Sequence, residues 1–257
     1  MGGESTTRTA PQSGGTSTGP VGSRTGQRLS GLAVALGLVL FLGGFAWGAV
    51  LYRPYTVPTG SMTPTIDAGD RVLAQRVDGD EIRRGDVVVF TDKSWVTGAS
   101  VVKRVVAVGG DTVSCCTDGK LTVNGKKIDE TYLKGSVVED KSIPTVKVPK
   151  DRLFLLGDER QGSLDSSAHL TDAAQGTVAR SAVTARVDAV VWPMKGMLER
   201  PTGFEPLGAL SSPGPLRTIF VLIVVGAVLV LGGGAYGPVA KVFGGRSRVR
   251  TEPVGAR

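Results

Sequence analysis

Two long apolar runs dominate the pattern of hydrophobic and polar positions along the chain. Residues 29–52 contain no charged side chain, and a helix of that length spans about 36 Å, enough for a bilayer core of about 30 Å. A second uncharged run lies between Arg217 and Lys241. The pattern therefore predicts two transmembrane helices, over residues 29–52 and 217–238.

Each run also has another interpretation. The first could be a cleaved signal peptide, since Ala46-Trp47-Gly48 offers small residues at a suitable spacing. Its apolar stretch is longer than the roughly 7–15 residues of a signal peptide, however, and a long polar region precedes it. The second could be a buried helix of a soluble domain, but Arg217 and Lys241 at its ends are typical of membrane-interface anchors.

Between these runs the pattern changes to short β-prone segments separated by Gly and Asp. Asn124-Gly125 is a two-residue hairpin signal between two such segments. The fold class expected from this pattern is mostly β, an antiparallel β-sheet domain flanked by N- and C-terminal transmembrane helices. The segments predicted as strands are 71–74, 86–90, 101–108, 112–114, 121–123, 147–148, 153–156 and 185–192.

The remaining segments complete the predicted domain organisation. Residues 1–28 are rich in Gly, Ser and Thr and cannot bury enough apolar surface to fold, so we expect a disordered tail. Residues 53–200 form the β-rich domain. Residues 201–216 are rich in proline and are interpreted as a linker, and residues 239–257 as a basic tail.

The net charge of +7 is concentrated in the two tails. Short basic segments favour the cytoplasmic side of a membrane. We therefore expect a multi-pass plasma-membrane protein with both termini in the cytoplasm and the β-rich domain outside. The excess charge is explained by this topology and by contact with anionic lipid, so no nucleic-acid partner is expected.

The two cysteines, Cys115 and Cys116, are neighbours in the sequence. A disulfide between them closes no long loop and would add little stability, and two free thiols at a turn are an equally good interpretation. Together with the single histidine, His169, they do not make a tetrahedral metal site, so no metal is expected.

The segment from Tyr55 to Thr65 is the densest candidate for chemistry. It begins just after the first apolar run, so its function is expected near the membrane surface. Gly60 permits a sharp turn or a close approach of the backbone to a ligand, and the two prolines of the segment stiffen the chain on either side of Ser61. A rigid turn with incidental hydroxyls would show the same pattern.

A nucleophilic serine needs a base. His169, the only histidine, lies in a stretch with the character of a loop. Lys103 instead lies in the β-prone run 101–108, where apolar neighbours share its face. Burial there would lower its pKa and allow the amine to take a proton from Ser61. A strand lysine that extends its amine to water is the alternative on spacing alone.

Four segments, in order along the chain, resemble the catalytic-domain motifs of bacterial type I signal peptidases: residues 60–66, 85–90, 103–111 and 157–166. The chain is similar to actinobacterial members with a C-terminal span. The resemblance implies a membrane-bound serine endopeptidase with a Ser-Lys dyad that removes N-terminal signal peptides from secreted preproteins after small residues at positions −1 and −3. It implies no cofactor, and it implies signal peptides, the lipid bilayer and the secretion translocon as partners.

The resemblance also implies catalytic roles. Ser61 would be the nucleophile and Lys103 the general base. The Ser61 backbone N–H and the hydroxyl of Thr59, where the family usually has serine, would form the oxyanion hole. Ser163 would hydrogen-bond the Lys103 amine and orient it.

Asp165 and Arg160 would hold the last motif in place as an ion pair, and Asp158 opens that motif. Two positions depart from the family pattern, which usually has asparagine in place of Glu159 and arginine in place of Ser167. Without that arginine, Asp165 is expected to be less firmly paired.

An extended substrate would add as a strand beside the strand with Lys103 and the segment that leads to Ser61. Ordinary core packing is the alternative for each apolar residue of the implied substrate pockets. Trp95 and Trp192 are expected either at the membrane surface or in the core. The residues at the pocket-lining positions are Tyr55, Val57, Pro58, Met62, Ile66 and Val102.

Two other functions are compatible with parts of this pattern. A self-cleaving Ser–Lys protease related to phage-type repressors would use the same chemistry, but it predicts a soluble DNA-binding region and the two apolar spans argue against it. A membrane-tethered β-module that binds a ligand without catalysis would not depend on the Ser61 hydroxyl.

Overall fold

The computed structural model describes residues 24–133 and 142–244, and most of the two predicted tails, residues 1–23 and 245–257, lie outside these ranges. The described residues form two long helices and twelve β-strands, joined by turns and short 3-10 helices. In chain order the elements are α1 Arg24–Leu51, β1 Tyr52–Thr56, β2 Arg71–Gln75, β3 Val87–Phe90, β4 Val101–Val108, β5 Thr112–Thr117, β6 Lys120–Val123, β7 Lys126–Lys127, β8 Ile143–Lys147, β9 Arg152–Leu156, β10 Thr177–Ala179, β11 Val183–Trp192, β12 Gly196–Met197 and α2 Leu216–Gly244.

The two helices overlap both predicted apolar elements. Residues Thr25–Leu51 and Leu216–Tyr236 are long and apolar enough to cross a membrane. α1 ends at Leu51, and β1 begins at the next residue. α2 begins directly after Pro215, and proline is well tolerated at the start of a helix because the first N–H groups of a helix have no partner within it.

The helix pair, described over residues 24–43 and 221–244, belongs to one compact unit. Glycines allow its backbones to approach closely: a Cβ added at Gly226 would lie 2.5 Å from the Phe41 nitrogen and 2.7 Å from the Gly37 oxygen. The Ser30 hydroxyl donates to the Gly233 carbonyl at 2.7 Å. Small residues and side-chain hydrogen bonds of this kind are typical of helix contacts in membranes.

The second unit, Gly44–Phe220, contains two antiparallel sheets. The larger sheet has the strand order β1-β2-β11-β3-β4-β9-β10, with β12 paired to β11, and the smaller has the order β7-β6-β5-β8. The mostly β fold class with helices at both ends is therefore confirmed. Buried Val, Leu, Ile and Phe side chains on the sheet faces form three hydrophobic clusters.

All eight predicted strands overlap strands of the structure, and β4 has the predicted bounds. Asn124 and Gly125 join β6 to β7 with φ of 53° and 75°, the backbone that a two-residue hairpin requires. β1, β10 and β12 were not predicted from the sequence. β1 contains Pro54, which is tolerated because β1 lies at the edge of its sheet.

The segment interpreted as a linker packs against the β-sheet domain. Residues Thr202–Leu207 form a 3-10 helix, and Phe204 is fully buried in the cluster that also contains Ile128. Arg84 Nη1 donates to the Leu207 carbonyl at 3.0 Å. The proline-rich composition is compatible with this turn of helix, and Phe204 anchors it.

Candidate active site

The Ser61 segment forms a tight turn between β1 and β2. The Ile66 N–H donates to the Met62 carbonyl at 2.9 Å, and the Thr63 N–H donates to the Gly60 carbonyl at 3.0 Å. Met62 and Ile66 are both fully buried. The turn is therefore anchored by two apolar side chains, while Ser61, directly before Met62, is partly exposed.

Lys103 lies near the middle of the larger sheet, on β4. It is opposite Val88 of β3, whereas pairing of β4 with β9 begins at the next residue, Arg104. The Lys103 side chain is buried. Its Nζ lies 2.6 Å from Ser61 Oγ, within hydrogen-bond distance across a separation of 42 residues in the sequence. The fold thus brings the two predicted dyad residues together.

Thr59 also reaches this hydroxyl. Its Oγ1 donates to Ser61 Oγ at 3.3 Å. The three side-chain atoms therefore lie next to one another, with the amine and the second hydroxyl both at the candidate nucleophile.

The motif of residues 157–166 packs directly on the Ser61 turn. The Glu159 N–H donates to the Ser61 carbonyl at 3.2 Å. A Cβ added at Gly157 would lie within 2.5 Å of both Ser163 Oγ and the Ser61 carbonyl oxygen. Glycine is therefore required at position 157, and its absent side chain allows the buried Ser163 hydroxyl to lie beside the Ser61 backbone.

Asp165 is buried behind this loop. Its carboxylate accepts hydrogen bonds from the Gly157 N–H at 3.0 Å and from the Ser167 hydroxyl at 2.6 Å. Ser167 thus supplies a hydrogen bond where the family usually has arginine. Glu159, the other departure from the family pattern, accepts the Gly162 N–H through its side chain and closes the turn of the motif.

Arg104 and Asp158 form a buried ion pair that the sequence interpretation did not identify. Arg104 Nε and Nη2 donate to the two Asp158 oxygens at 2.8 and 2.6 Å, and the Thr65 hydroxyl donates to the same carboxylate at 2.6 Å. Burial alone would lower the pKa of Arg104, but the Asp158 charge outweighs burial and raises it. The pair joins β4, the Ser61 turn and the last motif. The sequence did contain one indication of this pair: Arg104 lies inside a β-prone run, and a charge buried in a strand needs an oppositely charged partner.

Arg160 pairs with Glu130, a residue outside the four motifs. Its Nη1 and Nη2 donate to the Glu130 oxygens at 2.9 and 2.5 Å, and its Nε donates to the Gly157 carbonyl at 3.0 Å. Burial would lower the pKa of Arg160, but the bonds to Glu130 raise it. The sequence prediction gave Arg160 an ion pair with Asp165. No spacing pattern could have revealed Glu130, which precedes Arg160 by 30 residues.

The predicted pocket residues divide by exposure. Met62, Ile66 and Val57 belong to one buried hydrophobic cluster, with Tyr55 and Val102 packed partly exposed against it. Pro58 is exposed. Tyr55, Pro58 and Val102 therefore have surface that a ligand could touch, while the other three support them from below.

The two tryptophans also differ. Trp95 stacks on His169 with ring centroids 4.5 Å apart and contacts Phe90 edge to face at 5.2 Å, so it takes part in packing. Trp192 is 66% exposed. His169, the alternative base, has its ring nitrogen Nδ1 2.7 Å from an Asp172 carboxylate oxygen. The basic side chain within hydrogen-bond distance of the Ser61 hydroxyl is Lys103.

A cavity of about 330 Å³ lies beside the site. Its lining includes Thr65, Arg104, Tyr132, Lys195 and Arg200 but neither Ser61 nor Lys103. Because alternate residues of β4 point to opposite faces, Arg104 faces this cavity and Lys103 faces the serine.

Comparisons with known proteins give one consistent family. A family model described as "Signal peptidase, peptidase S26" matches residues 29–192. Signal peptidase I of Mycobacterium tuberculosis is 33% identical over 191 residues, covering 55% of this chain and 65% of that protein, so the chain spans less than two thirds of that relative's length. Signal peptidase I of Bacillus amyloliquefaciens is 33% identical over 177 residues, covering 65% of this chain and 84% of that protein. A crystal structure of a signal peptidase I from Enterococcus faecalis aligns with a TM-score of 0.32 and 26% identity, covering 46% of this chain and 97% of that chain.

Proposed function

Because this chain belongs to the signal peptidase S26 family, we propose that it is a membrane-bound serine endopeptidase that removes N-terminal signal peptides from secreted preproteins. The observation that carries the proposal is the 2.6 Å contact between Lys103 Nζ and Ser61 Oγ, with the amine buried among apolar strands. Such a lysine can serve as a base where a histidine would otherwise be needed.

In the acylation step, neutral Lys103 accepts the proton of the Ser61 hydroxyl, and Ser61 Oγ attacks the carbonyl carbon of the scissile bond. The carbonyl oxygen becomes an oxyanion that the Ser61 N–H and the Thr59 hydroxyl stabilise. Protonated Lys103 then donates its proton to the leaving amine as the C–N bond breaks. The mature protein departs, and the signal peptide remains as an ester on Ser61.

In the deacylation step, neutral Lys103 takes a proton from a water molecule, which attacks the ester carbon. The C–O bond to Ser61 breaks, and Lys103 returns the proton to Ser61 Oγ. Ser163 keeps the amine oriented, while Asp165, Arg160 and Asp158 hold the loop that carries Ser163.

The substrate is proposed to bind as an extended strand beside Val102 and the segment of Tyr55 to Pro58. Small residues at positions −1 and −3 would fit shallow hollows on this surface, because larger side chains would collide with Tyr55 and Val102. Val57, Met62 and Ile66 would form the floor beneath them.

The proposed setting is the plasma membrane, with residues 29–52 and 217–238 spanning it and residues 53–200 outside the cell. Both tails, residues 1–28 and 239–257, would then lie in the cytoplasm. The signal peptide would approach Ser61 from the bilayer, and the secretion translocon would deliver the preprotein.

The test is cleavage of a purified preprotein by the full chain in detergent. Ser61→Ala and Lys103→Ala are each expected to lower the rate at least about a thousandfold, since loss of a nucleophile or its base removes the chemical step. Ser100→Ala and Lys150→Ala, which alter an exposed serine and an exposed lysine, are matched controls and should cleave like the wild type.

If Ser61→Ala and Lys103→Ala both process the preprotein at the wild-type rate, the protease assignment is wrong. That result would favour a membrane-tethered module that binds its ligand without catalysis.

A further inference from the structure

The larger sheet buries a second group of charges, apart from the Ser61–Lys103 site, that the proposed mechanism does not use. We call Tyr52, Arg186, Asp188 and Arg200 the Asp188 cluster. Asp188, on β11, is buried, and so are Tyr52 and Arg186. Arg200 Nη2 donates to Asp188 Oδ1 at 2.5 Å, and Arg186 Nε lies 3.4 Å from the same oxygen.

The N-terminal helix connects to the sheet at this cluster. Tyr52 is the first residue after α1, and its hydroxyl donates to Asp188 Oδ2 at 3.0 Å across 136 residues of sequence. The following strand, β1, leads directly to the turn that holds Ser61. The position of Ser61, the candidate nucleophile, therefore depends on β1, whose first residue, Tyr52, is hydrogen-bonded to Asp188.

The C-terminal helix connects at the same place. Gly214 lies two residues before α2, and a Cβ added there would lie within 2.5 Å of Asp188 Oδ2, the Tyr52 hydroxyl and Gln75 Oε1. Only glycine allows the chain to pass so close to these polar atoms. A few residues earlier, the Ser211 hydroxyl donates to the buried Asp86 carboxylate, which lies 3.8 Å from Arg200.

These contacts involve charges that have little access to water. Both Asp188 oxygens accept a hydrogen bond, from Arg200 and from Tyr52, whereas Arg186 Nε and Arg200 Nε are buried without one. Because leaving a buried charge without its partner is costly, the paired arrangement is strongly preferred over one in which Asp188 loses these contacts. Here that arrangement includes both connections between helix and sheet. The packing of residues 201–215 on the domain, which the proline-rich sequence did not predict, has the same effect.

We propose that the Asp188 cluster is a positioning device that holds both helix-to-sheet connections together and so determines which bond of a membrane-inserted preprotein reaches Ser61. This inference rests on the proposed function. A substrate anchored in the bilayer presents its cleavage site at a fixed distance from the membrane, whereas a soluble peptide can enter the site from any direction. Loosening the two helix-to-sheet connections should therefore slow or misplace cleavage of the membrane-inserted preprotein and leave cleavage of the soluble peptide unchanged.

The experiment compares two substrates with the full chain in liposomes of phosphatidylglycerol and phosphatidylethanolamine. One is a preprotein inserted through its signal peptide, and the other is a short soluble peptide with the same cleavage site. Tyr52→Phe removes the hydrogen bond to Asp188, and Gly214→Ala forces the chain away from it. Gly43→Ala is the matched control, because a Cβ there meets nothing within 4 Å. Mass spectrometry identifies the bond that is cut.

For Tyr52→Phe and Gly214→Ala we expect the preprotein to be cut at least about fivefold more slowly or at a neighbouring bond, while kcat/KM for the soluble peptide stays within about twofold of wild type. Equal losses on both substrates, or no loss on either, would overturn the inference, because both outcomes describe a merely structural contact. If Gly214→Ala does not fold, Tyr52→Phe, which removes one oxygen atom, decides the result. If the wild type cuts neither substrate while remaining folded, the proposed function itself fails, and the inference fails with it.

Discussion

Lys103 and Arg104 illustrate how neighbouring residues of one strand acquire different chemistry. Both side chains are buried, and alternation along β4 directs them to opposite faces. Arg104 meets the Asp158 carboxylate and stays charged, since a guanidinium does not lose its proton in proteins. Lys103 meets the Ser61 hydroxyl, and a lysine amine in a buried place can deprotonate. We therefore expect the chemistry of each basic side chain to follow from the partner on its own face.

A buried carboxylate outside the site provides a test of pH dependence. Asp111 accepts two hydrogen bonds from Arg84, at 2.8 and 2.6 Å, and one from the Val108 N–H at 2.8 Å. Burial alone would raise the pKa of Asp111, but these bonds outweigh burial and hold the pKa below its ordinary value. A lowered pKa in the folded state means that the carboxylate stabilises the fold above the pKa of the unfolded chain, about 3.9.

We therefore expect Asp111→Asn to lower the free energy of unfolding by about 2 kcal/mol at pH 7, a usual value for lost hydrogen bonds to a charged group. The difference from wild type should shrink as the pH falls through about 4, because the carboxylate of the unfolded wild-type chain then binds a proton while the folded one, with its lower pKa, stays charged. Urea unfolding monitored by tryptophan fluorescence from pH 7 to about pH 3 measures it, because the loss falls below the unfolded-state pKa. A difference that stays constant over this range would contradict the assigned charge interaction.

At the scale of elements, the two apolar helices and the strands follow different packing rules. The helices contact each other through glycine backbones at Gly37 and Gly226. In a bilayer there is little hydrophobic force between helices, so close backbone approach supplies much of the attraction. The strands instead pack mainly by burying Val, Leu and Phe side chains on their faces.

Gly226→Leu is expected to separate the helices, because its Cβ alone would meet the Phe41 and Gly37 backbones. Overpacking of this kind costs about 1–3 kcal/mol. The measurement is the apparent Tm of the purified protein in a mild detergent. Gly43→Leu is the control, since a Cβ at Gly43 meets nothing within 4 Å, and it should unfold near the wild-type temperature. Equal Tm values for the two variants would mean that the contact does not stabilise the helix pair.

At the scale of the whole molecule, the distribution of charge predicts topology. The excess of Lys and Arg lies in the two tails, and the segment between the apolar runs is close to neutral. Basic segments near membrane spans remain preferentially in the cytoplasm. Together with two helices long enough to cross a bilayer, this predicts an external β-sheet domain.

Reporter fusions in a bacterial host test this arrangement. Alkaline phosphatase, which is active only outside the cytoplasm, should be inactive when fused to either terminus and active when inserted in the exposed turn at Asn124-Gly125. Replacing the basic residues of the C-terminal tail by glutamine should weaken the preference for the cytoplasm. A phosphatase that is active at one terminus and inactive in the turn would contradict the predicted topology.

The sequence by itself determined the features that depend on local pattern. Uncharged runs of bilayer length marked both helices, β-branched alternation gave the bounds of β4, and Asn124-Gly125 marked a hairpin, because in each case the physical cause lies within a few consecutive residues. The order of four motifs identified the family and pointed to Ser61 and Lys103.

Only the tertiary structure decided which distant groups meet. Glu130 beside Arg160, Asp158 beside Arg104, and Asp188 beside Tyr52 are contacts across 30, 54 and 136 residues of sequence. The packing of residues 201–215 belongs to the same class. A charged residue within an apolar segment indicates from the sequence alone that it needs a buried partner. Which residue is that partner depends on how the sheets bring remote segments together.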